Sequence, residues 1–80
     1  MIYVLCGNKR EYDFFCRENN LNPRKDAKYI SDGPMLMGLR DIQLVRTGTY
    51  YNRHFEWNLE VRETLKARGY TDVSADYITT

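Results

Sequence analysis

Eighty residues with a net charge of +1, 42% of them hydrophobic and 29% charged, make one domain around a compact core. A dedicated non-specific DNA binder draws its affinity from many phosphate contacts and is strongly basic, so this near-neutral chain leaves nucleic acid a local patch only. No apolar run approaches the roughly 18 residues of a membrane span, and the N-terminus lacks the basic and long apolar segments of a secretory signal, so no membrane partner is expected.

In chain order, IYVLC (residues 2–6) is a short, almost unbroken apolar run closed by Gly7-Asn8. That pattern predicts a strand buried on both faces of a parallel sheet. The period then changes. Tyr12, Phe15 and Cys16 fall at i, i+3 and i+4, predicting a helix over residues 9–20 with Asn8 as its N-cap. Asn19, Asn20, Asn22 and Pro23 end it. AKYIS (27–31) reads as a second strand. Asp32-Gly33-Pro34 then opens a short helical turn, with Pro34 in its first position and Met35, Leu36 and Leu39 turned to the core.

DIQLVRTG (41–48) reads as the third strand. The clearest element is the helix predicted over residues 53–70, where Trp57, Val61 and Leu65 repeat every four residues, flanked by Phe55 and Leu59. Lys66 and Arg68 stand near its C-terminal end, where the helix dipole favours cations, and Gly69 suits the C′ position. Residues 1–70 form the expected α/β domain. Residues 71–80 are left as a tail or an edge strand, with YITT as one possible strand.

Strands that alternate with helices pair in parallel through right-handed crossovers. The expected fold is a minimal three-stranded parallel sheet, order 2-1-3, with helices on both faces: Rossmann-like, without a Walker A motif. Its reversal between the first and third strands gathers three loops at the carboxyl rim, where open α/β sheets bind ligands. Those loops are Cys6–Arg10, 31–33 and 46–50.

The segments VLCGN, YISD, MLMGLRD, VRTGTYYNR and KARG together resemble a pattern in small actinobacteriophage proteins of unassigned function. The resemblance spans about residues 1–69 and omits the tail. It implies a Rossmann-like or P-loop-like fold and a phage or prophage origin, hence the cytoplasm of a host cell. It brings no catalytic residue.

Each rim segment admits a functional and a plainer reading. CGNKREYD lacks the second glycine and the Lys-Ser or Lys-Thr pair of a phosphate-binding loop, and a G-x-G-x-x-G pattern is absent as well. Lys9 and Arg10 beside a helix start are a weaker anion site, or two solvated charges on a tight turn. Cys6 precedes a helix as in cysteine phosphatases, but the arginine that would grip an anion is missing, so Cys6 and Cys16 read as buried, reduced thiols. Asp32 is either a ribose ligand or, more simply, a helix cap. The only histidine, His54, reads as solvent-facing. Two cysteines and one histidine fall short of a structural zinc site, so no metal and no cofactor are expected.

The stretch VRTGTYYNR is the richest: Arg46, Thr49, Tyr50, Tyr51 and Arg53 combine cations, hydroxyls and aromatic faces. Such a mix contacts proteins, stacks a base and holds a phosphate, or simply closes a strand. Seven tyrosines in so short a chain favour the first, because an apolar body with a polar tip suits interfaces. With no complete catalytic constellation, the expected function is a non-enzymatic module binding a host or phage protein through the loop after the third strand. The alternative is nucleotide or nucleic-acid binding at the carboxyl edge of the sheet through Lys9, Arg10, Arg46 and Tyr50. A homodimer is compatible with the exposed sheet edges.

Overall fold

The computed structural model describes residues 1–53 and 55–79, with the side chains of Phe55 and Glu56 outside that description. The sequence expectations for His54 and for the Phe55 side chain therefore fall outside the described residues. In chain order the elements are β1 (Ile2–Leu5), α1 (Lys9–Glu18), β2 (Ala27–Tyr29), a 3₁₀ turn (Pro34–Leu36), β3 (Ile42–Arg46), a second 3₁₀ turn (Tyr50–Asn52), α2 (Phe55–Arg68), β4 (Tyr70–Asp72) and a third 3₁₀ turn (Ser74–Asp76).

The sheet is wholly parallel, in the order β2-β1-β3-β4. The expected α/β class, parallel pairing and 2-1-3 core are present, but the sheet has four strands rather than three. The added strand is Tyr70–Asp72, and residues 77–79 form none. All three β4 residues are exposed, so this edge strand has no apolar run to announce it. It is held by backbone pairing of Ile42 with Tyr70 and Leu44 with Asp72.

Period-2 alternation splits the strand side chains between two layers. Ile2, Val4, Cys6 and Val45 pack beneath Tyr12, Phe15 and Cys16 of α1. Leu5, Ile42 and Leu44 pack on the opposite face beneath Leu36, Val61 and Leu65. The chain moves one way across the sheet from β1 to β2 and the other way from β2 to β3 and from β3 to β4. Crossovers of one hand therefore place α1 on one face, and both α2 and the Pro34–Leu36 turn on the other.

Local signals set the element ends. Asn8 Oδ1 accepts from the Glu11 N–H at 2.9 Å and caps α1. Asp32 lies one residue before Gly33, which holds the N-cap position of the Pro34–Leu36 turn, and its Oδ1 accepts from the Met35 N–H at 3.2 Å. Gly69, at φ +81°, closes α2 with its N–H on Leu65 O at 2.9 Å.

After β4 the chain turns back over the α1 layer. Val73 N–H donates to Leu44 O at 2.8 Å, and Tyr77 meets Phe15 with ring centroids 5.8 Å apart. Asn19 and Ile78 exchange hydrogen bonds at 3.0 and 2.8 Å. Burying one large apolar side chain contributes about 1.5–3 kcal/mol. A chain ending at Gly69 is therefore expected to lose about 2–4 kcal/mol in urea unfolding, a loss that a loose tail would not produce.

Candidate functional site

The carboxyl ends of parallel strands leave N–H and C=O groups with no partner in the ladder, and each buried one must find another. Two side chains of opposite charge meet that need. Glu11, in the first turn of α1, reaches back to the loop after β1 and across to the loop after β3. Its Oε1 accepts from Gly7 N–H at 2.6 Å and Thr49 N–H at 3.0 Å, while Oε2 accepts from the Thr49 hydroxyl at 2.8 Å. Partial burial works against the Glu11 charge, but the hydrogen bonds from Thr49 and Gly7 outweigh it and hold the carboxyl below its ordinary range.

The approach is close enough to require glycine on both loops. A Cβ on Gly7 would collide with Thr49 Oγ1, and one on Gly48, itself at φ +64°, would lie 2.5 Å from Glu11 Oε1.

Arg53 does the converse for carbonyls. Its Nη1 donates to Cys6 O at 3.4 Å and Ile30 O at 3.2 Å, and to the Tyr29 hydroxyl at 3.2 Å. Its Nη2 donates to Ser31 O at 3.4 Å. The guanidinium carbon sits 3.5 Å from the centre of the Trp57 ring, and the indole N–H donates to Ser31 O at 2.7 Å. The planar fork and the aromatic platform together pin the ends of β1 and β2 to the start of α2.

Cys6 is fully buried beneath this rim. Burial, then the charge of Glu11, pushes its thiol up to about 12, and it donates to Asn8 O at 3.3 Å. A thiol held protonated in this way is not a nucleophile at neutral pH. Burial raises Cys16 as well.

The seven residues singled out in the sequence thus separate. Thr49 and Arg53 hold the rim together. Lys9 and Arg10 are exposed on the first turn of α1, on the other layer from α2. Arg46, Tyr50 and Tyr51 line a cleft of about 460 Å³ between the end of β3, the Tyr50–Asn52 turn and α2. Its size falls within the range of about 300–1,000 Å³ of ligand pockets.

Leu5, Val61 and Leu65, buried in the core, close the floor of this cleft, and Leu59, Arg62, Lys66 and Tyr70 edge it. Arg46 reaches toward β4, with Nε 3.7 Å from Asp72 Oδ2 and Nη2 3.3 Å from the Tyr70 hydroxyl. Hydrogen bonds from the side chain and backbone of Ser74, then Arg46, hold Asp72 below its ordinary range against a partial burial that opposes its charge. Tyr50 and Tyr51 meet edge to face, centroids 5.5 Å apart.

Sequence reasoning missed Glu11 and the α2 wall. The Glu11 signal was present, because Asn8-x-x-Glu11 has capping-box spacing; here the carboxylate reaches past the cap to Gly7. Arg62 and Lys66, one helical turn apart, read as a solvated face until α2 is docked.

The clasp is testable through stability. Hydrogen bonds to charged groups contribute about 1.5–3 kcal/mol each, and a buried carbonyl left unpaired costs about 1–3 kcal/mol. Glu11→Ala and Arg53→Ala are each expected to lose about 1–3 kcal/mol in urea unfolding at pH 7. Because the folded pKa of Glu11 is depressed, its contribution is full above the unfolded value of about 4.3 and is lost as pH falls through the folded one. The gap between wild type and Glu11→Gln should accordingly close between about pH 4 and more acidic solution, whereas the Arg53→Ala gap should not follow that titration.

No protein-family model, curated protein or solved structure matches this chain.

Proposed function

We propose that this chain is a small non-enzymatic binding module of the phage type, with a Rossmann-like core, that engages a partner protein through the Tyr50–Asn52 turn and the adjoining cleft. The observation that carries this reading is a coincidence of exposed apolar side chains with one concavity. Tyr51, Leu59 and Tyr70 are 66%, 46% and 39% exposed, and all three line the cleft beside Arg46. Exposed large apolar groups that cluster, with tyrosine and arginine among them, are the composition of a protein contact.

The rim clasp adds rigidity. Glu11 fixes Thr49, the residue just before the Tyr50–Asn52 turn, so the tyrosine wall is presented with little ordering left to do on binding.

Nucleotide binding at the same cleft has one observation in its favour, the proximity of Arg46, Arg62 and Lys66 to three tyrosines. Against it, Lys9 and Arg10 lie on the other layer, so phosphates would meet fewer cations than the rim as a whole carries.

The test is a double variant, Tyr51→Ser with Leu59→Ser. Both side chains are exposed enough that melting should move little. Affinity for a protein first captured from lysate on the wild-type chain should fall by about 2 kcal/mol or more, the loss typical of interface hot spots. Undiminished capture by the folded variant would remove the cleft as the binding site. Titration with mononucleotides at low and high salt checks the second reading, which requires salt-sensitive binding that Arg62→Ala weakens.

A further inference from the structure

We infer that the segment seated in this cleft is acidic: a short stretch of the partner protein in which one bulky apolar side chain is flanked by carboxylates. The inference rests on the protein-binding reading above and adds the chemistry of the partner.

The cleft is amphipathic in a particular way. Leu5, Val61 and Leu65, buried where β1 and α2 pack together, close its floor, and the apolar surface it offers comes from Tyr51, Leu59 and Tyr70. A concavity of about 460 Å³ has room for a bulky apolar side chain against these three. The charges around it are unbalanced: Arg46, Arg62 and Lys66 line the cleft against the single carboxylate of Glu63. With Asp72 beside Arg46, the cleft and its edge carry three cations and two carboxylates, and Arg62 and Lys66 together outweigh Glu63 on the α2 wall.

The cations also approach from two walls. Arg46 comes from β3, while Arg62 and Lys66 come from successive turns of α2. Arg46 already stands beside one carboxylate, with Asp72 Oδ2 at 3.7 Å from Nε, and Tyr70 hydroxyl at 3.3 Å from Nη2. A guanidinium has five donors, so this arrangement leaves others for an incoming acid. Among the described residues no ion pair engages Arg62 or Lys66.

A basic segment would meet like charge on both walls. A nucleic-acid strand would find three cations, too few for the phosphate tracking on which its affinity depends, and Glu63 among them. Carboxylates on either side of a Leu, Phe or Trp satisfy both the charge and the shape. Charges at such an exposed rim set association rate and partner choice more than total affinity.

The experiment uses the full chain and fluorescence anisotropy. The probes are a pool of about ten-residue peptides with one central Leu, Phe or Trp flanked by Glu and Asp, the same pool with Gln and Asn, the same with Lys, and a single-stranded oligonucleotide of similar length. The acidic pool is expected to bind about tenfold or more tighter than the amide pool, less so at high salt. Charge reversal by Arg62→Glu with Lys66→Glu should abolish that preference and transfer it to the lysine pool, with the domain still folded and its melting lowered slightly, because Lys66→Glu puts an acid in the last turn of α2.

Equal binding of acidic and amide pools, preference for the oligonucleotide, or no acidic binding up to about 1 mM would each overturn the inference. The two claims separate cleanly. If Tyr51→Ser with Leu59→Ser loses the captured partner while the charge-reversed variant keeps it, the cleft binds protein but not through acids. If the Ser variant keeps its partner, the protein-binding reading itself falls.

Discussion

A parallel sheet ends in a row of backbone groups that the ladder does not satisfy, and this fold depends on how two charged side chains complete that row. Glu11 gathers amides from the loops after β1 and β3. Arg53 gathers carbonyls from the ends of β1 and β2. A carboxylate accepts only and a guanidinium donates only, so the division of labour follows from their chemistry. Together they tie three strand ends and the starts of both helices into one rim. An 80-residue chain has a small core, and such cross-links carry a larger share of its rigidity than they would in a larger domain.

The clasp also decides where a ligand can sit. In open α/β sheets the crevice between strands that diverge in connection is the usual binding place, here between β1 and β3. In this chain the amides on both sides of that crevice are already bonded to Glu11, and Gly7 and Gly48 bring the loops too close for side chains between them. The open concavity lies to one side, over β3 and β4 and against α2. Arg46, whose side chain shares a face with Leu44 by period-2 alternation, is directed into it, while Val45 and Thr47 belong to the α1 side.

The C-terminal segment completes both layers. β4 places Tyr70 and Asp72 beside Arg46, and the following turn holds the Arg46 N–H through Ser74 Oγ at 2.9 Å. The chain then crosses to the other face, where Val73 and Tyr77 cover the α1 cluster. This segment thus edges the cleft at Tyr70 and closes the core at Val73 and Tyr77.

The sequence by itself determined what depends on local pattern. Apolar runs ended by Gly-Asn, by Asp-Gly-Pro and by Thr-Gly located β1, β2 and β3; three- and four-residue spacing located both helices; and Asn8 and Gly69 marked helix ends, while Pro34 marked the first 3₁₀ turn. Alternation of those elements was enough for a parallel sheet in which β2, β1 and β3 lie side by side in that order. Only the tertiary structure decided what depends on distant groups. β4 is invisible to periodicity because its side chains are all exposed. Arg53, grouped with the ligand-contacting residues of its loop, turns inward onto carbonyls just past β1 and β2, 22 to 47 residues away, and shares the Ser31 carbonyl with the Trp57 indole. Glu11 bridges 38 residues to Thr49, and Arg62 and Lys66 become a cleft wall only once α2 is laid against β3. Periodicity records which face of an element is apolar; which polar group satisfies which backbone atom is settled only when the strands lie side by side.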